Sequence, residues 1–195
     1  MKTPHEQVGT RAGLAALRDL GPDDVDAIVH YWHRTGDEHL DFLGIDRARL
    51  GSEENTRGRF LRAIRTGDPL QTAMAFAITV DEELAGYTLL NRYAPETNYS
   101  HWHITRPHLR SAGLSTALYP YRLKMYFDLA PIARLIHQTR TRNVGVNRML
   151  DKYVPVAETR HVETPDGVAG PGEFHMRYVR REDIAGFFEK ALQLE

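Results

Sequence analysis

Two histidines separated by one residue, His101 and His103, stand just before a short basic turn with a glycine, Arg106-Pro107-His108-Leu109-Arg110-Ser111-Ala112-Gly113-Leu114-Ser115. In an extended strand side chains alternate between faces, so Tyr99, His101, His103 and Thr105 share one face and Ser100, Trp102 and Ile104 the other. An imidazole titrates near neutrality and can take a proton from a nucleophile or ligate a metal. The turn offers different chemistry. A strand, a glycine-containing turn and a following helix from Leu114 form a place to hold phosphate, because the first helical N–H groups have no intrahelical acceptor and the helix dipole adds positive charge there. Gly113 lets backbone approach a ligand, and Arg110 can pair with a phosphate oxygen. A capped turn and two hydrogen-bonded histidines are the plainer reading of the same residues.

Other combinations carry less. His30 and His33 lie three apart on a helical run, a spacing that permits a metal pair and equally suits solvated side chains. A metal on His101 and His103 needs a third ligand such as Asp37, His108 or His137, and no spacing nominates one. Asp37, Glu38, His39 and Asp41 could receive a cationic substrate or form a solvated face. No Gly-x-Ser-x-Gly, Walker loop or Gly-x-Gly-x-x-Gly occurs.

Arg110-Ser111-Ala112-Gly113-Leu114-Ser115 resembles the acyl-CoA pyrophosphate loop of the GNAT superfamily of N-acyltransferases, Q/R-x-x-G-x-G/A, and Thr105 to Arg110 resembles the V-x-P-x-x-R run before it. Ser115 and Thr105 depart from that pattern. The resemblance implies acetyl-CoA or another acyl-CoA as cofactor, bound through Ile104, Thr105, Arg110, Ser111, Ala112, Gly113, Leu114 and Ser115, with Asn143 on the pantetheine arm. It implies a small-molecule or peptide amine as acceptor. Arylalkylamine N-acetyltransferases carry a similar His-x-His pair, which makes His101 the candidate base and His103 the candidate relay. The family's tyrosine general acid falls on Leu150 here; Tyr153, about one helical turn later, is the candidate substitute. An oxyanion donor is expected from a backbone N–H of the strand that carries the two histidines, near Ile104, at a local bulge. The alternatives are a CoA- or acyl-carrier-binding module without transfer, and a histidine-liganded metal enzyme.

The elements that must position these groups follow from periodicity. Residues 1–13 read as a flexible tail and 14–195 as a single domain. Leu14–Leu20 is a soft first strand; Pro22 and two acids open a helix with Val25, Ile28, Val29 and Trp32 inward. Glu53–Arg65 forms a second helix over Phe60, Leu61 and Ile64. Thr72–Val80 and Leu84–Leu90 form a hairpin, and Thr97–Thr105 leads into the loop. A helix after Gly113, kinked at Pro120, precedes a strand at Ile132–Thr139. Then come a helix from Asn143, strands at Val156–Glu163 and Phe174–Val179, and a helix over Arg181–Leu194. The expected fold is α/β (α+β), a GNAT-like mixed, mostly antiparallel sheet of about seven strands flanked by helices, with a C-terminal helix. The resemblance adds a splay between the fourth and fifth strands.

Composition narrows the partners. The absence of cysteine excludes disulfides, zinc–thiolate sites and thiol nucleophiles. Net charge is −1, which argues against a general nucleic-acid binder, but residues 104–160 hold 10 Lys/Arg against 3 Asp/Glu. The positive segment starts at the phosphate loop and suits a polyanionic cofactor. No apolar run approaches the roughly 18 residues of a membrane span, and no signal pattern opens the chain, so a cytoplasmic protein is expected. The family also forms homodimers, for which the sequence marks no interface.

Overall fold

A computed structural model describes residues 4–66, 73–165 and 167–193. Thr72 and Leu194, at the ends of two expected elements, lie outside the described residues. The strands are β1 Pro4–Thr10, β2 Gly13–Asp19, β3 Ala73–Val80, β4 Glu83–Ala94, β5 Thr97–Ile104, β6 Arg134–Arg140, β7 Glu158–Val162 and β8 Gly172–Arg180. They form one sheet in the order β1-β2-β3-β4-β5-β6-β8-β7, antiparallel at every joint except β5–β6. The mixed, mostly antiparallel architecture is the expected one, with an eighth strand. That strand is β1, in residues expected as a loose tail. Proline, histidine and glutamine disguise it, but Gly13, at φ +126°, turns the chain so that Thr10 meets Gly13 and Val8 meets Ala15.

The β3–β4 hairpin closes through Asp81 and Glu82, both at positive φ, as a two-residue turn with the right-handed strand twist requires. Between β2 and β3 lie four helices, α1 Val25–Arg34, α2 Asp37–Leu43, α3 Arg47–Leu50 and α4 Glu53–Thr66, where two were expected. Gly44 and Gly51, each at φ +75°, end α2 and α3 and divide the run. Helix α5, Leu114–Leu129, carries the chain from β5 to β6; α6, Val144–Asp151, follows β6, and α7, Ile184–Leu192, follows β8. Among the described residues no helix is long and apolar enough to cross a membrane.

The sheet separates two cores. Phe76, Ile78 and Leu90 pack on one face with α5, α7 and Tyr153; Ala75, Ala77 and Tyr87 pack on the other with α1 and α4. On β5, Trp102 and Ile104 point to the α5 side, while the register sets His101 opposite Leu89 and His103 opposite Tyr87. Strands β5 and β6 pair only at Thr97–Tyr99 with Arg134–Ile136 and then part. This opening is the splay that the resemblance implied.

Candidate active site

A cavity of ≈ 580 Å³ lies against the α1/α4 face of the sheet and reaches into the parting of β5 from β6. Tyr99, His101 and His103 line its floor, Phe60 and Ala63 of α4 its roof, and Trp102, Asn143 and Val146 the end at the splay. Strand parity therefore brings the two histidines together as expected, with ring centroids 5.8 Å apart.

The two imidazoles have different surroundings. His101 Nδ1 is buried and has no hydrogen-bond partner among the described residues, leaving Nε2 as the edge through which a proton can pass. Burial, aided by the positive charge of Arg122, lowers its pKa to about 4. His103 stacks on Tyr87 and meets the edge of Trp32. Its Nδ1 lies 3.2 Å from the Tyr31 hydroxyl, which in turn lies 3.2 Å from His39 Nε2 on α2. Burial holds His103 well below its ordinary pKa, with His101, His39 and Arg110 acting in the same direction. Both rings are thus neutral at pH 7. His39 is half-buried, so a chain His103–Tyr31–His39 runs from the cavity toward the protein surface.

Sequence reasoning missed Tyr31 and did not connect His39 to the strand. Tyr31 adjoins Trp32 on α1, outside the helical stripe that marked the buried face. Nothing in the local pattern indicates that its hydroxyl meets a histidine on β5.

The loop before α5 is shaped to hold an anion. Ser111 and Gly113 have φ of +65° and +82°, and Gly113 is the N-cap of α5 without a side-chain cap. The first α5 hydrogen bond runs from Ala117 N to Gly113 O. The N–H groups of Leu114, Ser115 and Thr116 therefore have no intrahelical acceptor, and a Cβ on Gly113 would meet nothing within 4 Å. Open space over a row of uncommitted amides fits a pyrophosphate. Leu114 is buried and contributes backbone alone. Ala112 N is committed to Leu109 O, and Thr105 is tied through both its N–H and its hydroxyl to Ala85 O.

Arg110, expected at the phosphate, is instead turned inward. Its Nε donates to Ile104 O at 3.2 Å and its Nη1 lies 3.4 Å from His39 Nδ1. Ser115 accepts a 3.0 Å hydrogen bond from the Trp102 indole, which also stacks 3.7 Å from the buried Arg122 guanidinium. Trp102 thereby joins the cavity wall to the loop. Asn143 caps α6 through Oδ1 to Val146 N at 3.4 Å and lines the cavity.

Tyr153 lies elsewhere. It is buried in the α5/α7 core, stacked on Tyr119, and its hydroxyl donates to Thr116 O at 2.9 Å. Pro120, four residues after Thr116, has no N–H to offer that carbonyl; α5 continues through the proline, and Tyr153 supplies the missing donor. Gly86, Tyr87 and Thr88 pair in unbroken register with Ile104, His103 and Trp102, and the irregularity falls just beyond Ile104, where the N–H groups of Thr105 and Arg106 both point to Ala85 O, the residue that β4 leaves out of register with β3. Ser100 O accepts from His137 Nδ1 across the parting, so by alternation the N–H groups of Trp102 and Ile104 face the splay.

Asp37, Glu38 and Asp41 are exposed on α2, with Asp37 paired to Arg47. His30 is exposed, and His33 bonds the Thr56 hydroxyl. Among the described residues no group of three His, Asp or Glu side chains is disposed to hold a metal ion.

No family model and no curated protein matches the sequence. Solved structures do match the fold. RimJ of Mycobacterium smegmatis, in complex with CoA-disulfide, superposes with a TM-score of 0.72 at 14% identity, over 95% of this chain and 93% of that one. Ribosomal-protein-S5-alanine acetyltransferase from Vibrio fischeri gives 0.70 at 12% identity, over 93% and 98%. A GNAT-family acetyltransferase from Bacillus anthracis gives 0.64 at 17% identity, over 91% and 99%. The fold is that of the GNAT acetyltransferases.

Proposed function

We propose that this chain is an acyl-CoA-dependent N-acyltransferase, most simply an N-acetyltransferase, acting on the amine of a small molecule or peptide. The observation that carries the reading is the continuity through Trp102 between two sites. One is a cavity floored by two neutral histidines; the other is a helix N-terminus with uncommitted amides. The neighbours' acetyltransferase names and the CoA-disulfide bound to RimJ agree with it.

Ser111, Gly113, Leu114, Ser115 and Thr116 would hold the pyrophosphate through backbone N–H groups, with the Ser115 hydroxyl proton still free to donate. Asn143, at the splay, would hold the pantetheine arm. Acyl-CoA, when bound, supplies the activated thioester acyl group. The chain's own task is to take a proton from the amine and to steady negative charge on the reacting oxygen. His101 faces the cavity as base, and His103, whose Nδ1 is bonded to the Tyr31 hydroxyl and through it to His39, is the relay partner that orders this network. Burial lowers the pKa of His101, His103 and His39 alike, so none of the three retains the proton. The N–H groups of Trp102 and Ile104, facing the splay, are the candidate oxyanion donors. Arg110 holds the end of β5 against α2 and is a positioning residue.

Tyr153 is committed to α5, so the reading assigns it no acid role; the thiolate leaves unassisted or takes a proton from the histidine pair. That same commitment favours, as a second reading, a module that binds CoA without transfer. A calorimetric titration with acetyl-CoA followed by thiol-release assays over an amine panel separates them. Micromolar one-to-one binding with turnover is expected. Binding without turnover selects the module, and no binding at millimolar acetyl-CoA overturns both.

A further inference from the structure

We propose that Arg110 fixes the direction of the hydrogen-bond chain His39–Tyr31–His103, so that His103 presents a protonated Nε2, a donor, at the cavity floor and His101 alone of the pair is left to act as base. The direction of the chain stands without the acyltransferase reading; the division of roles between the two histidines rests on it.

Each link of the chain joins two groups that can both give and take a hydrogen bond. His39 Nε2 lies 3.2 Å from the Tyr31 hydroxyl, and that hydroxyl lies 3.2 Å from His103 Nδ1. A neutral imidazole has one N–H and one bare nitrogen, and a phenol has one proton to give. Taken alone, the three groups could be ordered in either direction. Arg110 removes the choice. Its Nη1 lies 3.4 Å from His39 Nδ1, and a guanidinium offers N–H donors and no acceptor. His39 Nδ1 must therefore be bare, with the proton of that ring on Nε2. Tyr31 accepts from this N–H and turns its own proton to His103 Nδ1, which leaves the His103 proton on Nε2.

Charge closes the other arrangements. An imidazolium at His39 would set N–H against N–H and cation beside cation, and burial and Arg110 both lower the pKa of this ring. Burial also raises the Tyr31 pKa to about 12, so its hydroxyl keeps the proton that the chain needs. Arg110 is itself held in place. Its Nε donates to Ile104 O at 3.2 Å, and its guanidinium lies 5.8 Å from the centroid of the Tyr31 ring.

The two histidines of β5 therefore differ in kind. His103 is stacked on Tyr87 and edge-on to Trp32, with Nδ1 occupied by Tyr31. Its remaining polar edge is an N–H, which can donate to an oxygen of a ligand in the cavity that it lines. His101 Nδ1 has no partner, so nothing fixes the tautomer of that ring. It can keep its proton on Nδ1 and offer a bare Nε2, as a base must.

Two-bond proton–nitrogen correlation spectra of the nitrogen-15-labelled full chain at neutral pH test the proposal, with ring signals assigned through His39→Gln and His103→Gln. A locked ring shows one nitrogen at the bare position and the other at the protonated position, whereas a ring that exchanges tautomers shows averaged shifts. His39 and His103 should both be locked with the proton on Nε2. Arg110→Met should move both toward averaged shifts, and Arg110→Lys, which keeps an obligate donor, should retain the locked pattern. Tyr31→Phe should release His103 and leave His39 locked. A proton on His103 Nδ1, averaged His103 shifts in the unaltered chain, or a His103 pattern that neither Arg110→Met nor Tyr31→Phe changes would overturn the proposal. Acetyl-CoA titrated into the same sample reports separately on the acyltransferase reading. A locked chain without acetyl-CoA binding would sink that reading and leave the direction of the chain standing.

Discussion

The Tyr153 hydroxyl donates to the carbonyl of Thr116, the residue whose carbonyl Pro120 leaves without its helical donor. A tyrosine near the end of α6 thus completes a hydrogen bond that α5 lacks. Tyr153→Phe should cost about 1 kcal/mol of stability and leave turnover nearly unchanged. In a Pro120→Ala background, where the helical N–H is restored, the cost of Tyr153→Phe should shrink. Urea unfolding and steady-state rates check both points. A hundredfold fall in kcat without loss of stability would instead make Tyr153 the general acid.

Gly113 has a left-handed backbone and open space where a Cβ would point. Gly113→Val should lower acetyl-CoA affinity at least about tenfold, while the fold loses only about 1–2 kcal/mol for the strained φ. Calorimetry and thermal unfolding on one preparation separate these effects.

Gly86 is constrained differently. A Cβ there would come within 2.2 Å of the His103 carbonyl oxygen, a backbone atom of the neighbouring strand. Gly86→Ala should therefore push β5 away, cost about 1–3 kcal/mol as overpacking does, and displace His103 from Tyr31. Turnover is expected to fall with stability. An alanine variant with full activity would mean that His103 need not be held where it is.

His101→Gln should reduce kcat by about 10²–10⁴, the usual range for a lost general base. Tyr31→Phe should also lower kcat and leave KM for acyl-CoA unaltered. Unaffected turnover in both variants would remove the histidine pair from the mechanism.

Stability should depend on pH through buried imidazoles. Folding lowers the pKa of His101 to about 4 and of His137 to about 3, against an ordinary value of 6.5. The unfolded chain therefore takes up these protons first as the pH falls below 6.5, and stability drops down to the folded values. The slope should approach 1.4 kcal/mol per pH unit for each histidine, as an upper bound. His101→Gln should flatten it by one such contribution in urea unfolding between about pH 7 and pH 5. An unchanged slope would mean that His101 is already solvated in the folded protein.

Local patterns made most of the sheet legible. Alternation located β3 to β5 and put His101 and His103 on one face, because strand parity depends only on nearest neighbours. Residues 4–10 carry no strand signal of their own, since their strand character comes from pairing with β2. The inward turn of Arg110 depends on His39, and the Tyr31–His103 contact joins residues on α1 and β5. Side-chain directions set by distant partners leave no local signature. Tyr153 follows the family's tyrosine position by about one helical turn, and a motif offset of that kind does not tell a cavity from a core.

The parting of β5 from β6 also bears on how the chain acquires its shape. From β1 to β5, sheet order and chain order coincide, so each strand can join the one made just before it. The next strand must wait for all of α5 to be synthesised and folded back, and it then gains only three residue pairs with β5. The protein therefore has a natural assembly boundary after Ile104, between an N-terminal meander and a C-terminal unit of β6, β8 and β7. Backbone amides beside that boundary should exchange with solvent sooner than those of the central β3–β4 pair. The seam at which the two halves meet last is also where the cavity opens.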